Sequence, residues 1–579
     1  MTHAHSNRGR IVARSLRAGP TAPRLFRTCA LAALAAGLLA ATPAGAAVPG
    51  ISGGSGTAAT VSFNLDASPG FISQPDGAQI YTWGYGCGAA GTTSAGTPGL
   101  VPSKPAGGIL PTTLSVTATC GLMQIPGPTL IVTEGQIVTV NLYNALPAVA
   151  GNTSIVFSGF ATSATGGVQG AVAQEAAPGT TVSYTFTASQ PGTYAYYSGS
   201  RSELQVDMGL FGALVVLPKA PVSGKACSAA NPSLRGLSNG AVGGVDYRLS
   251  TSAYDHPETC YDREFLFQFS EMDSNIHQAV QACVEAGATA CPTLNVVTDP
   301  YHPNYFLING RSFPDDEDPN FAPMYPNQPY NGDPQIHPGE AMLLRVVGQG
   351  RMQHPFHIHA NHGRVLGRDG GLLLSANDPL AANAGYSRLA GPLYYTVPTV
   401  PGQGQDLIFT YTGKGLNWDM YGHSLNNIGR ATPLPIGPTP ADNVALDPAP
   451  CYPDGNGFYT VNSKPSAAPP TAPNYYEWCA DHNKPIPITP PDPQIVANGL
   501  WYGGTPYLGL NQIPVGGGVP QFLSTPLPPG TTIQNPSAGY AFMWHSHAER
   551  ELTTNNVFPG GMLMMLVVQP PLQAIDETN

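Results

Sequence analysis

Short runs in which β-branched and aromatic residues alternate with polar ones recur along most of this chain. Residues 137–142 and 181–186 are typical, residues 341–347 form a more continuous apolar run, and Gly or Pro separates such runs from their neighbours. Short alternating runs bounded by turn residues are typical of strands in a β-sandwich or barrel. Residues 273–284 depart from this pattern, because there a helical period competes. The pattern therefore predicts an all-β protein with one short helix.

Two groups of runs are separated by a linker, since the first group ends near residue 216 and a stretch rich in Ser, Ala and Gly follows Pro221. Pro, Gly and Asn dominate from residue 431 to about 535, after which strand-like runs resume at 540–544 and 562–568. We predict domain 1 over residues 47–222 and domain 2 over residues 223–579, with an insertion at about 431–535. The alternative is a degenerate third domain from about residue 441.

The N-terminal segment has the composition of a secretory signal peptide. Arginines precede an apolar stretch at residues 29–41, and small residues follow at 44–47. The apolar stretch is too short to span a bilayer, and no later segment is apolar and long enough. We therefore predict a signal peptide over residues 1–46 and a secreted location, periplasmic or extracellular.

Cysteine usage agrees with export, because an even set of cysteines in an exported protein indicates disulfides. Sequence alone leaves their connectivity open. Pairing of sequential neighbours is the simplest arrangement, in which Cys283 and Cys291 close the shortest loop. The eight disulfide candidates are Cys87, Cys120, Cys227, Cys260, Cys283, Cys291, Cys451 and Cys479.

The charge of the chain limits the kinds of molecule that it can bind. Only 10% of residues are charged, and the formal net charge is -11, so no basic patch is available to neutralise phosphates. We therefore expect no nucleic-acid partner.

The histidines fall in two tight groups. The first group is His354, His357, His359 and His362, and the second is His545 with His547. On a strand, residues i and i+2 point to the same face, so each His-x-His pair offers two imidazoles to one side. Imidazole is a preferred ligand of copper and zinc. The apolar residues flanking both pairs indicate that the imidazoles sit against a core, which favours a metal site over solvated histidines.

These motifs resemble those of the multicopper oxidases, the laccase-like copper proteins. Residues 354–359 (His-Pro-Phe-His-Ile-His) match the family's His-Pro-x-His-x-His motif. Residues 544–547 (Trp-His-Ser-His), followed by Gly-Gly-Met at 560–562, are similar to its C-terminal His-Cys-His motif. The resemblance implies tandem cupredoxin-like domains of Greek-key β-sandwich or barrel form, and copper as the cofactor.

Several positions that hold metal ligands in the family motifs are occupied by other residues in this sequence, and this changes the copper chemistry that the resemblance implies. The position of the thiolate that ligates type 1 copper is Ser546, and the second type 1 histidine position is Glu551. In domain 1, Val156 with Ser158, and Tyr197 with Gly199, stand at the positions of two His-x-His pairs. The resemblance thus implies that a blue copper and a complete trinuclear cluster are both absent.

What remains is a residual site for one or two copper ions. The predicted metal ligands are His354, His357, His359, His545 and His547. The oxygen atoms of Ser546 and Glu551 beside His354 suit a harder ion such as manganese, iron or zinc, so another divalent metal stays an alternative. Outer-shell groups or alternative ligands are His362, His423, Glu549 and Glu551. No catalytic residue is assigned.

The leading hypothesis is an exported copper-binding oxidoreductase that oxidises a small-molecule or metal-ion reductant, with dioxygen as a further partner. One alternative is a non-catalytic copper-binding or cell-surface structural protein, and another is an enzyme using a different metal. The sequence fixes neither substrate nor oligomeric state.

Overall fold

The structure is a computed structural model of the 579-residue chain. It describes residues 48–52, 59–87, 97–100, 120, 123–218, 241–242, 245–246, 251–261, 263–336, 341–375, 387, 389–411, 452–453, 459–460, 504–507, 512–515, 519–522, 539–568 and 575. All of these belong to one unit, Pro43–Asn579.

Two mixed sheets form the N-terminal half. The six-stranded sheet has the order β4-β1-β5-β13-β12-β7, and the five-stranded sheet has the order β3-β2-β6-β11-β8. Parallel pairs, such as β2 with β6 and β5 with β13, lie among antiparallel ones. The strands are β1 Pro49–Ser52, β2 Thr60–Ser73, β3 Gln79–Cys87, β4 Thr97–Leu100, β5 Gly127–Thr133, β6 Ile137–Asn144, β7 Val156–Phe157, β8 Ser163–Gly166, β9 Val168–Gln169, β10 Gln174–Glu175, β11 Thr181–Thr187, β12 Gly192–Tyr197 and β13 Phe211–Leu217.

The C-terminal half repeats this plan. One sheet follows the path β19-β18-β21-β27-β23-β24, with β25 also paired to β23. The other follows β20-β34-β33-β22-β26, with β30 also paired to β33. The strands are β14 Ala241–Val242, β15 Val245–Asp246, β16 Thr251–Ser252, β17 Cys260–Tyr261, β18 Arg263–Met272, β19 Tyr305–Ile308, β20 Gln335–Ile336, β21 Ala341–Gly348, β22 His354–Ile358, β23 Gly363–Arg368, β24 Gly371–Leu372, β25 Leu393–Tyr394, β26 Thr396–Thr399, β27 Gly404–Thr410, β28 Tyr452–Pro453, β29 Tyr459–Thr460, β30 Gly504–Tyr507, β31 Gln512–Val515, β32 Val519–Phe522, β33 Gly539–Ser546 and β34 Leu563–Val568.

Alternation along the strands accounts for the two cores. In β6 and β11 every second residue is buried, and Val140 and Tyr184 from these strands enter the first core with Leu214 from the opposite sheet. The second core likewise combines residues of both sheets, including Phe267 and Trp544. The all-β class, in tandem cupredoxin-like sandwiches, is confirmed.

Two α-helices lie in the described part of the chain: α1 at Ser202–Gln205 and α2 at Ser274–Ala290. The side chain of Asp273 accepts a hydrogen bond from the Asn275 amide and so caps the start of α2. The predicted helix at residues 273–284 is confirmed, but the helical segment runs on to Ala290, across a break at Gly287 where φ is 73°. Ile276 buries against the first core, so α2 packs on the N-terminal sandwich. The described 3₁₀ helices are Ala148–Ala150, Pro257–Thr259, Asp315–Glu317 and Glu549–Leu552.

The disulfides follow the sequential pairing. Cys87 bonds to Cys120, and Cys283 bonds to Cys291. Cys260 is disulfide-bonded as well. These two pairs confirm the simplest connectivity for four of the eight candidates.

Several predictions fall outside the described residues. These are the signal peptide at residues 1–46, most of the 431–535 insertion, Cys227, Cys451, Cys479 and His423. The domain boundaries stay predictions. None of the helices in the described ranges has both the length and the apolarity needed to cross a bilayer.

Candidate metal centre

Strand pairing brings the two histidine groups together. Strands β22 and β33 are antiparallel neighbours, and His357 lies directly opposite His545. On the other face of the same pair, Phe356, Ile358 and Trp544 enter the second core. Side chains alternate between the two faces of a strand, so burying these apolar residues sends the histidines to the opposite side.

The result is a cluster of four imidazoles, which we call the histidine cluster: His357, His359, His545 and His547. Ring centroids are 4.6 Å apart for His357 and His359, 4.9 Å for His357 and His547, and 5.5 Å for His357 and His545. The Nε2 atoms of His359 and His545 are 3.1 Å apart. Three members are buried, whereas His547 is exposed to solvent. The cluster is therefore accessible from the side of His547.

Hydrogen bonds orient two of these rings. The Nδ1 atom of His357 lies 2.8 Å from the hydroxyl of Thr396, and Nδ1 of His545 lies 2.6 Å from the carbonyl oxygen of Ser546. The indole of Trp544 donates to the carbonyl oxygen of His359. Such bonds to the second ring nitrogen fix the ring orientation of a metal-ligating histidine.

The electrostatics of the cluster disfavour protonation. Burial, reinforced by the three neighbouring imidazoles, lowers the pKa of His357 to about 3. Burial also lowers the pKa of His545, and His547 adds to this effect. His357 is therefore neutral at pH 7, which is the form in which imidazole binds a metal.

The donor chemistry of the cluster fits copper, because neutral imidazoles are the nitrogen ligands that copper prefers. The side chains are not, however, aimed at one point. Within the described residues, no group of three or more His, Cys, Asp or Glu side chains has the arrangement needed to hold a metal ion. Metal binding at the cluster would therefore require its rings to reorient.

The fifth predicted ligand, His354, lies in a separate buried network. Its Nε2 atom is 2.9 Å from a carboxylate oxygen of Glu271, and its Nδ1 atom is 2.9 Å from a carboxylate oxygen of Glu551. The hydroxyl of Ser546 donates to that same oxygen of Glu551. Serine and glutamate thus surround His354 at the position where the family resemblance places a type 1 copper.

His354 is an imidazolium in this network. Burial lowers its pKa, but the two carboxylates outweigh burial and raise the pKa to about 9. Both ring nitrogens then carry protons and face carboxylates, so neither offers a lone pair to a metal. This arrangement favours a salt-bridged cation at His354, and a metal-ligand role for His354 stays a prediction from sequence.

The predicted outer-shell groups lie at the edge of the cluster. The ring of His362 is 5.1 Å from that of Tyr395, which is in turn 5.6 Å from the ring of His357. Glu549 is exposed and contributes to the electrostatic environment of His545. Neither residue is part of the cluster itself.

Sequence reasoning missed three residues around the site: Glu271, Tyr395 and Thr396. Glu271 is separated from His354 by 83 positions in the chain. Tyr395 and Thr396 belong to the segment that pairs with β22. A glutamate inside a strand of buried residues was the one signal that could have drawn attention to Glu271.

The domain 1 positions that the family resemblance aligns with two His-x-His pairs lie next to one another. Val156 is paired with Tyr197 across strands β7 and β12. A Cβ atom added to Gly199 would approach the side chain of Val156 to 2.8 Å. The amide of Ser158 donates to the carbonyl of Ala195, which also lies in β12. The two segments that the resemblance aligns with His-x-His pairs are thus neighbours, and the aligned positions hold Val, Ser, Tyr and Gly in place of imidazoles.

Comparison with known proteins defines the class of this fold and site. Residues 115–221 and residues 297–418 each match a family model described as multicopper oxidase. The second match contains His354, His357, His359 and His362, and His545 and His547 lie beyond it. These two matches identify the chain as a relative of the multicopper oxidases.

Individual relatives cover different parts of the chain. The multicopper oxidase MCE of Talaromyces pinophilus is 40% identical over 102 residues, which are 17% of this chain and 16% of that protein. The blue copper oxidase of Nitrosomonas europaea has 14% identity, with 88% of this chain and 85% of that chain covered at a TM-score of 0.40. The multicopper oxidase mgLAC has 15% identity, with 90% and 88% covered at a TM-score of 0.41. These two TM-scores are too low to carry an argument.

Proposed function

We propose that this protein is an exported, copper-binding oxidoreductase whose copper is held by the histidine cluster. One or two ions would bind His357, His359, His545 and His547. The observation that carries the proposal is the spacing of these four rings, with centroids 4.6–5.7 Å apart in every contact identified. Bound copper would supply one-electron redox chemistry between a reductant and dioxygen.

The residues of the chain would prepare the site before any metal arrives. The Thr396 hydroxyl and the Ser546 carbonyl engage the Nδ1 atoms of His357 and His545. This leaves the Nε2 side of each ring as the metal-binding side. The low pKa of His357 removes the need to displace a proton from its ring at neutral pH.

Access to the site favours a small reductant that reaches the cluster directly. His547 is exposed, and the neighbouring Tyr395 is 51% exposed. Since Ser546 replaces the thiolate of the family motif, a cysteine relay from a distant type 1 copper is missing. We therefore propose that a small-molecule or metal-ion reductant approaches at the His547 side, and that no blue copper participates.

A second candidate is a copper-binding protein without turnover. The two ion pairs of His354 favour this candidate. Both ring nitrogens face carboxylates, so His354 does not hold a metal that could accept electrons from a reductant at that position. Occupancy by manganese, iron or zinc is a third outcome, which metal analysis would reveal directly.

The test is metal content by mass spectrometry on full-length protein loaded with copper and then desalted. The proposal expects one or two copper ions per chain, and expects this stoichiometry to fall below about half an ion in His357→Ala and His547→Ala variants. The exposed His302 lies outside the cluster, so His302→Ala is the matched control and should keep the wild-type copper content. Copper retained by the cluster variants would refute the site. Copper bound without oxidation of phenols or metal ions would select the second candidate.

A further inference from the structure

A polar cavity of about 510 Å³ lies at a junction of the N-terminal sandwich, helix α2 and the segment that follows β33. Its lining comes from parts of the chain that are far apart in sequence: the start of β3, the first half of α2, the start of β19 and residues 550–556. Cavities of a few hundred Å³ are the usual size of small-ligand sites in proteins. This cavity is therefore large enough to hold a small molecule.

Amide side chains are the most frequent groups in its lining. Gln79 comes from β3, Gln278 from α2 and Asn304 from the start of β19, and Asn555 with Asn556 comes from the turn after the 3₁₀ helix. We call this cavity the amide cleft. Among the described residues, no Asp, Glu or Lys lines it. An amide side chain donates hydrogen bonds from its nitrogen and accepts them at its oxygen. The cleft therefore suits a ligand whose polar groups also donate and accept.

Hydrogen bonds between distant segments hold the amide cleft in shape. The side-chain nitrogen of Asn304 donates to the hydroxyl of Ser274 and to the side-chain oxygen of Asn555. The backbone amide of Asn555 donates to the carbonyl of Asn304. The carboxylate of Asp76, which is not part of the lining, accepts from the hydroxyl of Tyr305 and from the side-chain nitrogen of Asn555. A lining fixed in this way loses less conformational entropy when a ligand binds.

The charges at the amide cleft favour a neutral ligand. Arg550 is the lysine-or-arginine member of the lining, and its guanidinium donates to the carbonyl of Pro303. The carboxylate of Asp76 contacts two lining residues, Tyr305 and Asn555, and so places a negative charge beside the cleft. The chain as a whole has a formal net charge of -11, which repels anions. An anionic ligand would be attracted by Arg550 but repelled by Asp76 and by the rest of the protein.

Two buried tyrosines, Tyr81 and Tyr305, also reach the lining. Their rings add apolar aromatic surface to the amides. We propose that the amide cleft binds a neutral carbohydrate, either a free sugar or the end of a polysaccharide chain. Each sugar hydroxyl donates and accepts hydrogen bonds as the amides do, and the C–H faces of a sugar ring pack against aromatic rings. This binding needs no metal, so it goes beyond the proposed oxidoreductase function and does not depend on copper.

The test is saturation-transfer NMR on metal-free, full-length protein with cellobiose, maltose, lactose and the charged disaccharide digalacturonate. We expect saturation transfer to at least one of the three neutral disaccharides and none to digalacturonate at the same concentration. Sedimentation of the protein with insoluble cellulose and with starch then separates the two sources of the sugar. Co-sedimentation would assign the site to a polysaccharide end, whereas binding of the disaccharide alone would assign it to a free sugar.

Two substitutions remove an amide from the cleft with little effect on the backbone. Gln278 is exposed on α2, where alanine is a good helix former, so Gln278→Ala keeps the helix. Asn556 has a φ of 64°, which glycine adopts readily, so Asn556→Gly keeps the turn. Each variant should bind the neutral disaccharide about threefold to tenfold more weakly. The control is Gln169→Ala, because Gln169 is an exposed amide on β9 outside the cleft and its loss should leave binding unchanged.

The wild-type spectra decide the proposal even if a variant fails to fold. Absence of saturation transfer to all three neutral disaccharides would overturn it. Equal affinity in wild type and in the Gln278→Ala, Asn556→Gly double variant would also overturn it, because the sugar would then bind elsewhere. Preference for digalacturonate would mean that Arg550 selects an anion, and would reject a site for neutral sugars.

Discussion

The His354 network makes stability depend on pH in a direction that can be calculated. In the folded protein the pKa of His354 is about 9, against 6.5 for an ordinary histidine. A raised pKa means that the folded state holds the proton more tightly than the unfolded state. The contribution to stability is then fully present below pH 6.5 and is lost as the pH rises through 9. A difference of about 2.5 pKa units corresponds to about 3 kcal/mol.

Glu271→Gln tests this reasoning, because glutamine keeps an oxygen acceptor and removes the negative charge. Two carboxylates share the stabilisation of the imidazolium, so removing one should cost about 1.5 kcal/mol at pH 6. For a chain of this size that corresponds to a fall in Tm of about 1–2 °C. Above pH 9, where His354 is neutral in wild type as well, the charge-dependent part of the difference should vanish.

The assay is thermal unfolding of metal-free wild-type and Glu271→Gln protein between pH 6 and pH 10. Glu203→Gln is the control, since Glu203 is solvent-exposed and should give a small difference that does not change with pH. A Tm difference for Glu271→Gln that stays constant across the range, or that grows towards pH 10, would refute the assignment of His354 as a salt-bridged imidazolium.

Three further predictions concern a residue that orients the histidine cluster and two features that stabilise the fold. Thr396→Val removes the hydroxyl that engages His357, and we expect about tenfold weaker copper binding in a competition titration with a chelator, with little change in Tm; unchanged affinity would contradict the positioning role. Trp544→Ala removes a buried ring that contacts three aromatic neighbours, so it should destabilise the protein by about 3–5 kcal/mol in thermal unfolding. Cys283→Ser, made together with Cys291→Ser, opens a loop with a sequence separation of 8 and should cost about 2.5 kcal/mol, measured in the same way; full retention of Tm would show that this loop is ordered without its disulfide.

The sequence predicted those parts of the fold and site that depend on local pattern. Alternation located the strands and placed His357 with His359, and His545 with His547, on common faces. The resemblance to the family then supplied the pairing of the two motifs, which structure gives as β22 beside β33. The helix at α2 was predicted too short, because Gly287 breaks the regular period before the segment ends.

Contacts between segments that are far apart in the chain could not be predicted from the sequence. Glu271 meets His354 because β18 and β22 lie in facing sheets of one sandwich, and no spacing in the chain encodes that approach. In the sequence, where the contact between Glu271 and His354 cannot be seen, the oxygen atoms of Ser546 and Glu551 suggested ligands for a harder metal. With Glu271 on the other side of the ring, the same residues form a hydrogen-bonded network that needs no ion.

The most direct test of the central claim is the paramagnetic resonance spectrum of copper-loaded full-length protein, recorded with its visible absorption. We expect an ordinary, non-blue copper signal with hyperfine splitting from several imidazole nitrogens, which is lost in the His357→Ala, His547→Ala double variant. An intense absorption band at about 600 nm, typical of a copper-thiolate bond, or a copper signal that survives in the double variant, would contradict copper binding by the histidine cluster.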